Sequence, residues 1–375
     1  MKTQAETHEQ FMQIALDLAR KALGRTTPNP PVGAVIVRDG QVVGRGFHPK
    51  AGEPHAEVFA LRDAADQARG ADAYVTLEPC SHHGRTPPCC EALIAAGVSR
   101  VFVGLIDPNP QVSGQGVERL RAAGVDVEVG VLETPCRRLI APFIKHMISG
   151  RPLFILKSAL TLDGRTATRT GHSQWITSAR SREHVHHLRD QVDAIMVGSG
   201  TALRDNPRLT TRLTPPGHDP IRIVVDSRLQ LPETSHLINH QSASPTWVVT
   251  VAQADPAKIK ALQAHAGVEV VTVAETSAGQ VDLHALADML GQRDIQSVLV
   301  EGGSVLNQSL FSAGLIDRVM VYMAPKLLGG NDGFGLFTGQ GVDHLDDALQ
   351  LRDFRVTCLG DDVLLEGEVC SCSPG

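Results

Sequence analysis

Aromatic side chains are scarce in this chain: Phe, Trp and Tyr together make up 4% of it. Its cores must therefore be aliphatic, and base stacking on aromatic platforms is a poor basis for its function. Positive charge is also short. With 35 Lys and Arg against 41 Asp and Glu, the net charge is −6 with histidine neutral, whereas a general polyanion binder is usually basic. That disfavours nucleic acid as a partner. It leaves room for a small phosphorylated ligand, for which a few arginines in one cleft suffice. No apolar run approaches the ~18 residues of a membrane span. The first ten residues include Glu6, His8 and Glu9 and lack the apolar run of a secretory signal. Cysteines stand at 80, 89, 90, 136, 358, 370 and 372, an odd set that suits a metal site plus bystanders better than a disulfide framework. Cytoplasm is the expected compartment.

What is present is enough for about two ordinary domains: 375 residues, 42% of them hydrophobic and 20% charged. Apolar positions from His8 to Leu23 recur at helical spacing, and Arg38-Asp39-Gly40 separates two strand-like runs. Helices are expected at 55–67, 90–96 and 116–123, with strands at 73–77, 101–105 and 125–129. This alternation predicts a mostly parallel sheet covered on both faces. The first domain should end near His146. A second alternation starts at Leu153, with apolar strands beginning at Phe154, Ala194, Ile221, Thr246, Val268, Ser297 and Arg318. No internal repeat or low-complexity segment stands out.

The chemistry gathers first at His55-Ala56-Glu57 and at the run from Glu78-Pro79-Cys80 to Cys89. One imidazole and two thiolates are three zinc ligands, which leaves a fourth position for water. Glu57, two residues after His55, can move protons without being a ligand. This is the pattern of zinc nucleobase deaminases, except that eight residues separate Cys80 from Cys89 where two are usual. Cys90 or His82 as a fourth ligand would instead close a structural site. In the second half, Gly198-Ser199-Gly200-Thr201 and Glu301-Gly302-Gly303 each follow an apolar strand, a device for bringing backbone amides to an anion. The Gly-x-Gly-x-x-Gly fingerprint is absent because Leu203 occupies the third position, so a Rossmann domain is disfavoured. An RNA-editing deaminase and a non-catalytic zinc-stabilised binding protein stay open on these residues alone.

Thr27-Pro28-Asn29-Pro30-Pro31-Val32-Gly33, Gly46-Phe47-His48, the Pro79–Cys89 run and Asp107-Pro108-Asn109-Pro110 resemble the bifunctional riboflavin-biosynthesis deaminase/reductase family. Lys157 to Arg165, Trp175-Ile176-Thr177, Asp193-Ala194-Ile195 and Asp205-Asn206-Pro207 extend the resemblance over nearly the whole chain. It implies a cytidine-deaminase-like three-layer domain at 1–146 and a dihydrofolate-reductase-like α/β domain at 147–375. The implied cofactors are zinc, on His55, Cys80 and Cys89, and NADPH. Glu57, Lys157 and Asp163 would be catalytic. Asn29, His48, His82, Arg85, Asp107 and Asn109 would line the pyrimidine and ribose-phosphate pocket. Ala159, Trp175, Thr201, Asp205, Gly302 and Gly303 would contact NADPH. Ser173, Arg189, Leu209, Arg212 and Glu301 would contact the phosphoribosyl substrate, with Arg189 and Arg212 as phosphate forks. Ser227, with Arg228 beside it, is the candidate reader of the adenosine 2′-phosphate. A homo-oligomer, dimer or tetramer, is implied as well. Cys370 and Cys372 in the tail have no assigned role.

Overall fold

Met12, Ala15, Leu16 and Ala19 recur on one face of helix α1 (Gln4–Arg20) and are wholly buried. That face lies on a sheet whose strands alternate between two cores. In β1 (Gly33–Arg38), Val35 and Val37 join the cluster under α1, while Ala34 and Ile36 join the cluster on the other face. Residues 4–81, 88–109, 112–239 and 242–370 are described by this computed structural model. They form two units, Met1–Gly150 and Arg151–Gly375.

In the first unit β1 is followed by β2 (Gln41–Phe47), α2 (Ala56–Ala64), β3 (Asp72–Val75), α3 (Cys89–Ala96), β4 (Arg100–Val103), α4 (Gln115–Ala122), β5 (Asp126–Val129), α5 (Glu133–Leu139) and α6 (Ala141–Ser149). The sheet order is β2-β1-β3-β4-β5. The expected mostly parallel sheet is in fact mixed. β1 pairs antiparallel with both β2 and β3, and only β3–β4 and β4–β5 are parallel. The hairpin turns β2 back against β1, and the crossover through α2 brings β3 in parallel to β2, so β3 also runs against β1. Helices α2, α3 and α4 cover one face; α1, α5 and α6 contribute to the other. The unit ends at Gly150, within the junction expected just after His146, where α6 stops in a left-handed cap.

The second unit comprises β6 (Leu153–Thr161), α7 (Ala179–Gln191), β7 (Ala194–Gly198), α8 (Ser199–Asp205), β8 (Ile221–Val225), β9 (Thr246–Val251), α9 (Pro256–Gln263), β10 (Val268–Val273), α10 (Leu283–Gln292), β11 (Ser297–Val300), α11 (Ser304–Ser312), β12 (Arg318–Ala324), β13 (Leu351–Leu359) and β14 (Asp362–Val369). Its sheet runs β10-β9-β8-β7-β11-β6-β12-β14-β13, parallel through β12 and closed by an antiparallel hairpin. Strands buried on both faces read as unbroken apolar runs, as Ala194 to Val197 of β7 do. Among the described residues no helix is long and apolar enough to cross a membrane.

Candidate active sites

Both candidate sites emerge at strand carboxyl ends, where open α/β sheets place their ligands. In the first unit Cys80 lies beyond β3, Asp107 lies beyond β4, and His55 caps the start of α2. A close backbone approach fixes that helix. A Cβ on Gly46 would lie 2.1 Å from the Ala56 carbonyl oxygen, so only glycine lets β2 seat the turn carrying His55 and Glu57. His55 Nδ1 is 3.6 Å from Cys80 Sγ and 3.3 Å from Cys89 Sγ. The three ligand atoms all lie within 4.8 Å of one another.

The Cys89 backbone N–H, at the start of α3, donates to Cys80 Sγ at 3.3 Å. The Cys89 thiol and His55 also bond Cys80, and together they lower its pKa despite burial. The same sulfur–sulfur hydrogen bond and burial raise that of Cys89. Cys90 packs with Val75, Leu93 and Val117 and is not part of the ligand group, so it does not close a fourth position. Glu57 is 3% exposed, and its Oε2 has no hydrogen-bond partner among the described residues. Burial pushes its carboxyl up to about 7. A buried oxygen left unsatisfied beside two thiols and an imidazole fits a metal centre with a guest in its open position.

His48 and Asn29 are brought to this centre. The His48 ring meets the His55 ring edge-on at 5.3 Å. Its Nδ1 donates to the Pro54 carbonyl at 3.1 Å, leaving Nε2 to accept from the Asn29 amide at 3.2 Å. Burial lowers its pKa and keeps the ring neutral. Asp107 Oδ1 accepts the Asn109 N–H at 2.8 Å. His82 and Arg85 lie outside the described residues. The sequence reading passed over Glu78, whose buried carboxylate accepts backbone N–H groups from Asp107, Gly114, Gly116 and Val117. Only its place beside Pro79-Cys80 hinted at a role.

The second unit holds a cavity of about 520 Å³. Its wall takes in Lys157 and Ala159 from β6, Ser173 and Trp175 from the next loop, and Arg189 from α7. Thr201 and Asp205 come from α8, Leu209 and Arg212 lie beyond it, and Glu301 to Gly303 follow β11. A second cavity of about 580 Å³ shares Thr201 and Gly303 with the first and reaches Ser227 and Arg228 after β8. The sequence reading also missed His186 and Tyr322, which line the first cavity. His186 lies three residues before Arg189 on α7, the spacing of neighbours on a helix face.

Buried charge concentrates at Glu301. Arg189 Nε and Nη2 grip its two oxygens at 2.8 and 2.9 Å, while Nη1 donates to the Thr210 carbonyl at 3.0 Å. Lys157 Nζ lies 3.5 Å away. Burial alone would raise the Glu301 pKa, but Arg189 and Lys157 bring it down to about 2. Arg189 therefore closes its fork on Glu301 instead of holding it open for phosphate, and of the two expected forks Arg212 keeps that role. His186, pushed down to about 4 by burial and then by Arg189 and Arg212, is neutral and accepts the Arg212 backbone N–H. Asp163 does not line either cavity. Its carboxylate accepts from the Thr161 hydroxyl at 2.6 Å and from the Leu328 and Gly329 amides, which fastens a turn.

Two family models match the chain: the cytidine and deoxycytidylate deaminase zinc-binding region over residues 5–105, and the RibD C-terminal domain over 152–365. The riboflavin biosynthesis protein RibD of Escherichia coli K12 is 45% identical over 372 residues, covering 95% of this chain and 98% of that one. The chain belongs to the RibD family. It is accordingly a deaminase and reductase of riboflavin biosynthesis, with one unit for each reaction. The Aquifex aeolicus RibD is 42% identical across 96% of this chain and 98% of its own. The Acinetobacter baumannii RibD structure superposes with a TM-score of 0.85 at 39% identity, covering 98% of this chain and 99% of that one. The Thermotoga maritima diaminohydroxyphosphoribosylaminopyrimidine deaminase/5-amino-6-(5-phosphoribosylamino)uracil reductase gives 0.85 at 36%, covering 98% and 100%.

Proposed function

We propose that the first unit hydrolyses the 2-amino group of 2,5-diamino-6-ribosylamino-4(3H)-pyrimidinone 5′-phosphate. The second unit then reduces the ribosyl side chain with NADPH to give 5-amino-6-(5-phosphoribitylamino)uracil. The observation that carries this reading is the unsatisfied Glu57 oxygen beside a three-ligand His–Cys–Cys group. His55, Cys80 and Cys89 would hold zinc, which when bound supplies Lewis acidity and lowers the pKa of water in its open position. Glu57 receives a proton at Oε2 and passes it to the departing amine. With its carboxyl near 7, both protonation states are within reach at neutral pH. Asn29 and His48 hold the pyrimidine edge, and Asp107 and Asn109 hold the ribose.

In the reductase cleft NADPH supplies the hydride. Ala159, Trp175, Thr201, Asp205, Gly302 and Gly303 form its bed. Lys157, held by Glu301, presents an ammonium donor to the opened sugar. Ser173 and Leu209 flank the substrate, and Arg212 meets its phosphate. Asp163 takes no part in the chemistry. Asp226, which lines the second cavity beside them, is 1% exposed and accepts the Leu231 amide at Oδ2. Ser227 and Arg228 read a 2′-phosphate. Arg228→Ala should reduce the preference for NADPH over NADH, measured as the ratio of their dissociation constants; an unchanged ratio overturns the assignment.

The chain works as a homo-oligomer, a reading supported by Phe354 and Val356, which stand 53% and 60% exposed on the outermost strand β13; a monomer in sedimentation overturns it. The described cysteines are free thiols, in keeping with the reducing cytoplasm. Mass spectrometry of the products from the diaminopyrimidine phosphate tests the whole scheme. The deaminated ribosyl compound should accumulate without NADPH and its ribityl form with it. Unaltered substrate from zinc-loaded protein overturns the scheme.

A further inference from the structure

We infer that Glu78 is a positioning residue of the deaminase, clamping the loop that carries Asp107 and Asn109 to the strand end that carries Cys80. Its carboxylate is 5% exposed. Oε2 accepts the Asp107 N–H at 3.1 Å and the Gly114 N–H at 2.9 Å; Oε1 accepts those of Gly116 at 2.8 Å and Val117 at 3.2 Å. The first donor opens the loop and the other three close it, so one side chain fixes both ends. Gly116 and Val117 also lie in the first turn of α4, where a negative charge is favoured by the exposed amides and the helix dipole. The Glu78 backbone N–H donates to the Leu105 carbonyl at 2.8 Å, which ties the same residue to the end of the neighbouring strand. Docking at this point is tight: a Cβ on Gly116 would come within 2.0 Å of the Pro79 carbonyl oxygen. A single residue, Pro79, therefore separates a metal ligand from the anchor of a loop on the next strand.

The inference rests on the reading that Asp107 and Asn109 contact the substrate. Glu78→Gln keeps the shape but turns an acceptor-only carboxylate into an amide whose NH₂ faces backbone donors. Deaminase KM should rise roughly tenfold, with kcat changed much less, as expected when binding geometry rather than chemistry is lost. Zinc content should stay at the wild-type stoichiometry, and reductase activity on deaminated substrate should be unchanged. Amide exchange at Gly114, Gly116 and Val117 should accelerate. Glu78→Asp, which keeps the charge on a shorter arm, should recover part of the KM and carries the test if the glutamine variant does not fold. An unchanged KM with accelerated exchange overturns the clamp, and so does loss of zinc, which would make Glu78 a support of the metal site alone. Asn109→Ala separates the two readings. If it raises KM and Glu78→Gln does not, the clamp fails; if it leaves KM unchanged, the substrate assignment of the loop fails.

Discussion

At the residue scale, the second unit depends on a single carboxylate. Glu301 pairs with both Arg189 and Lys157 in a nearly buried cluster, with the side chains of Arg189 and Glu301 only 11% and 10% exposed. Glu301→Gln would leave Arg189 buried without its counter-charge, a change that typically costs about 3–5 kcal/mol. The folded pKa of about 2 lies below the ordinary 4.5, so the ion pair contributes its full stability above about pH 4.5 and loses it as pH falls toward 2. In thermal denaturation the wild type should melt well above Glu301→Gln at pH 7, and the gap should narrow steadily as pH falls below 4.5. A gap that persists at low pH would mean that the loss came from packing, not charge. Arg212 differs because its guanidinium does not hold a buried carboxylate. Arg212→Ala should raise reductase KM about tenfold or more through the lost phosphate contact, with little change in melting temperature. Equal loss in the deaminase reaction would contradict its place in the reductase cleft.

At the element scale, legibility followed periodicity. The β1–β2 hairpin, α3 and β7 to β11 could be read because each carries an apolar run or stripe bounded by turn residues. Helices α5 and α6 were missed because Pro135 and Pro142 look like breakers, although both sit in first turns, where the missing N–H has no partner to lose. The β13–β14 hairpin was missed because residues 351–358 of β13 are all exposed, so the strand has no buried face to pattern its sequence. The zinc-ligand spacing was legible since side chains carry it. The Glu78 clamp was not, because backbone amides supply its partners. The Arg189–Glu301 pair was hidden for another reason: 112 residues separate its partners in the chain. Gly46 belongs to this scale too. Gly46→Ala would drive a methyl group into the Ala56 carbonyl and push α2 off β2. Overpacking of this kind costs about 1–3 kcal/mol, and here it also displaces His55 and Glu57. Zinc content and deaminase rate should therefore fall together while the reductase rate holds; retained zinc and a normal deaminase rate would show that α2 can shift without disturbing the site.

At the scale of the whole molecule, a net charge of −6 limits phosphate attraction to local clefts, and each cleft belongs to a unit with its own aliphatic core. The His55–Cys80–Cys89 group lies wholly in the first unit, and the Lys157–Arg189–Glu301 cluster lies wholly in the second. The groups proposed for the two reactions therefore form two separate sets of described residues. Glu57→Ala should abolish ammonia release yet leave NADPH oxidation intact when deaminated substrate is supplied. Lys157→Ala should do the reverse, with ammonia released at the wild-type rate and NADPH consumption lost. Ammonia and NADPH followed in the same preparations, with zinc measured in each, check both arms. If either substitution stops both reactions while zinc and fold are retained, the two chemistries share a component, and the division of labour argued from the two residue sets is wrong.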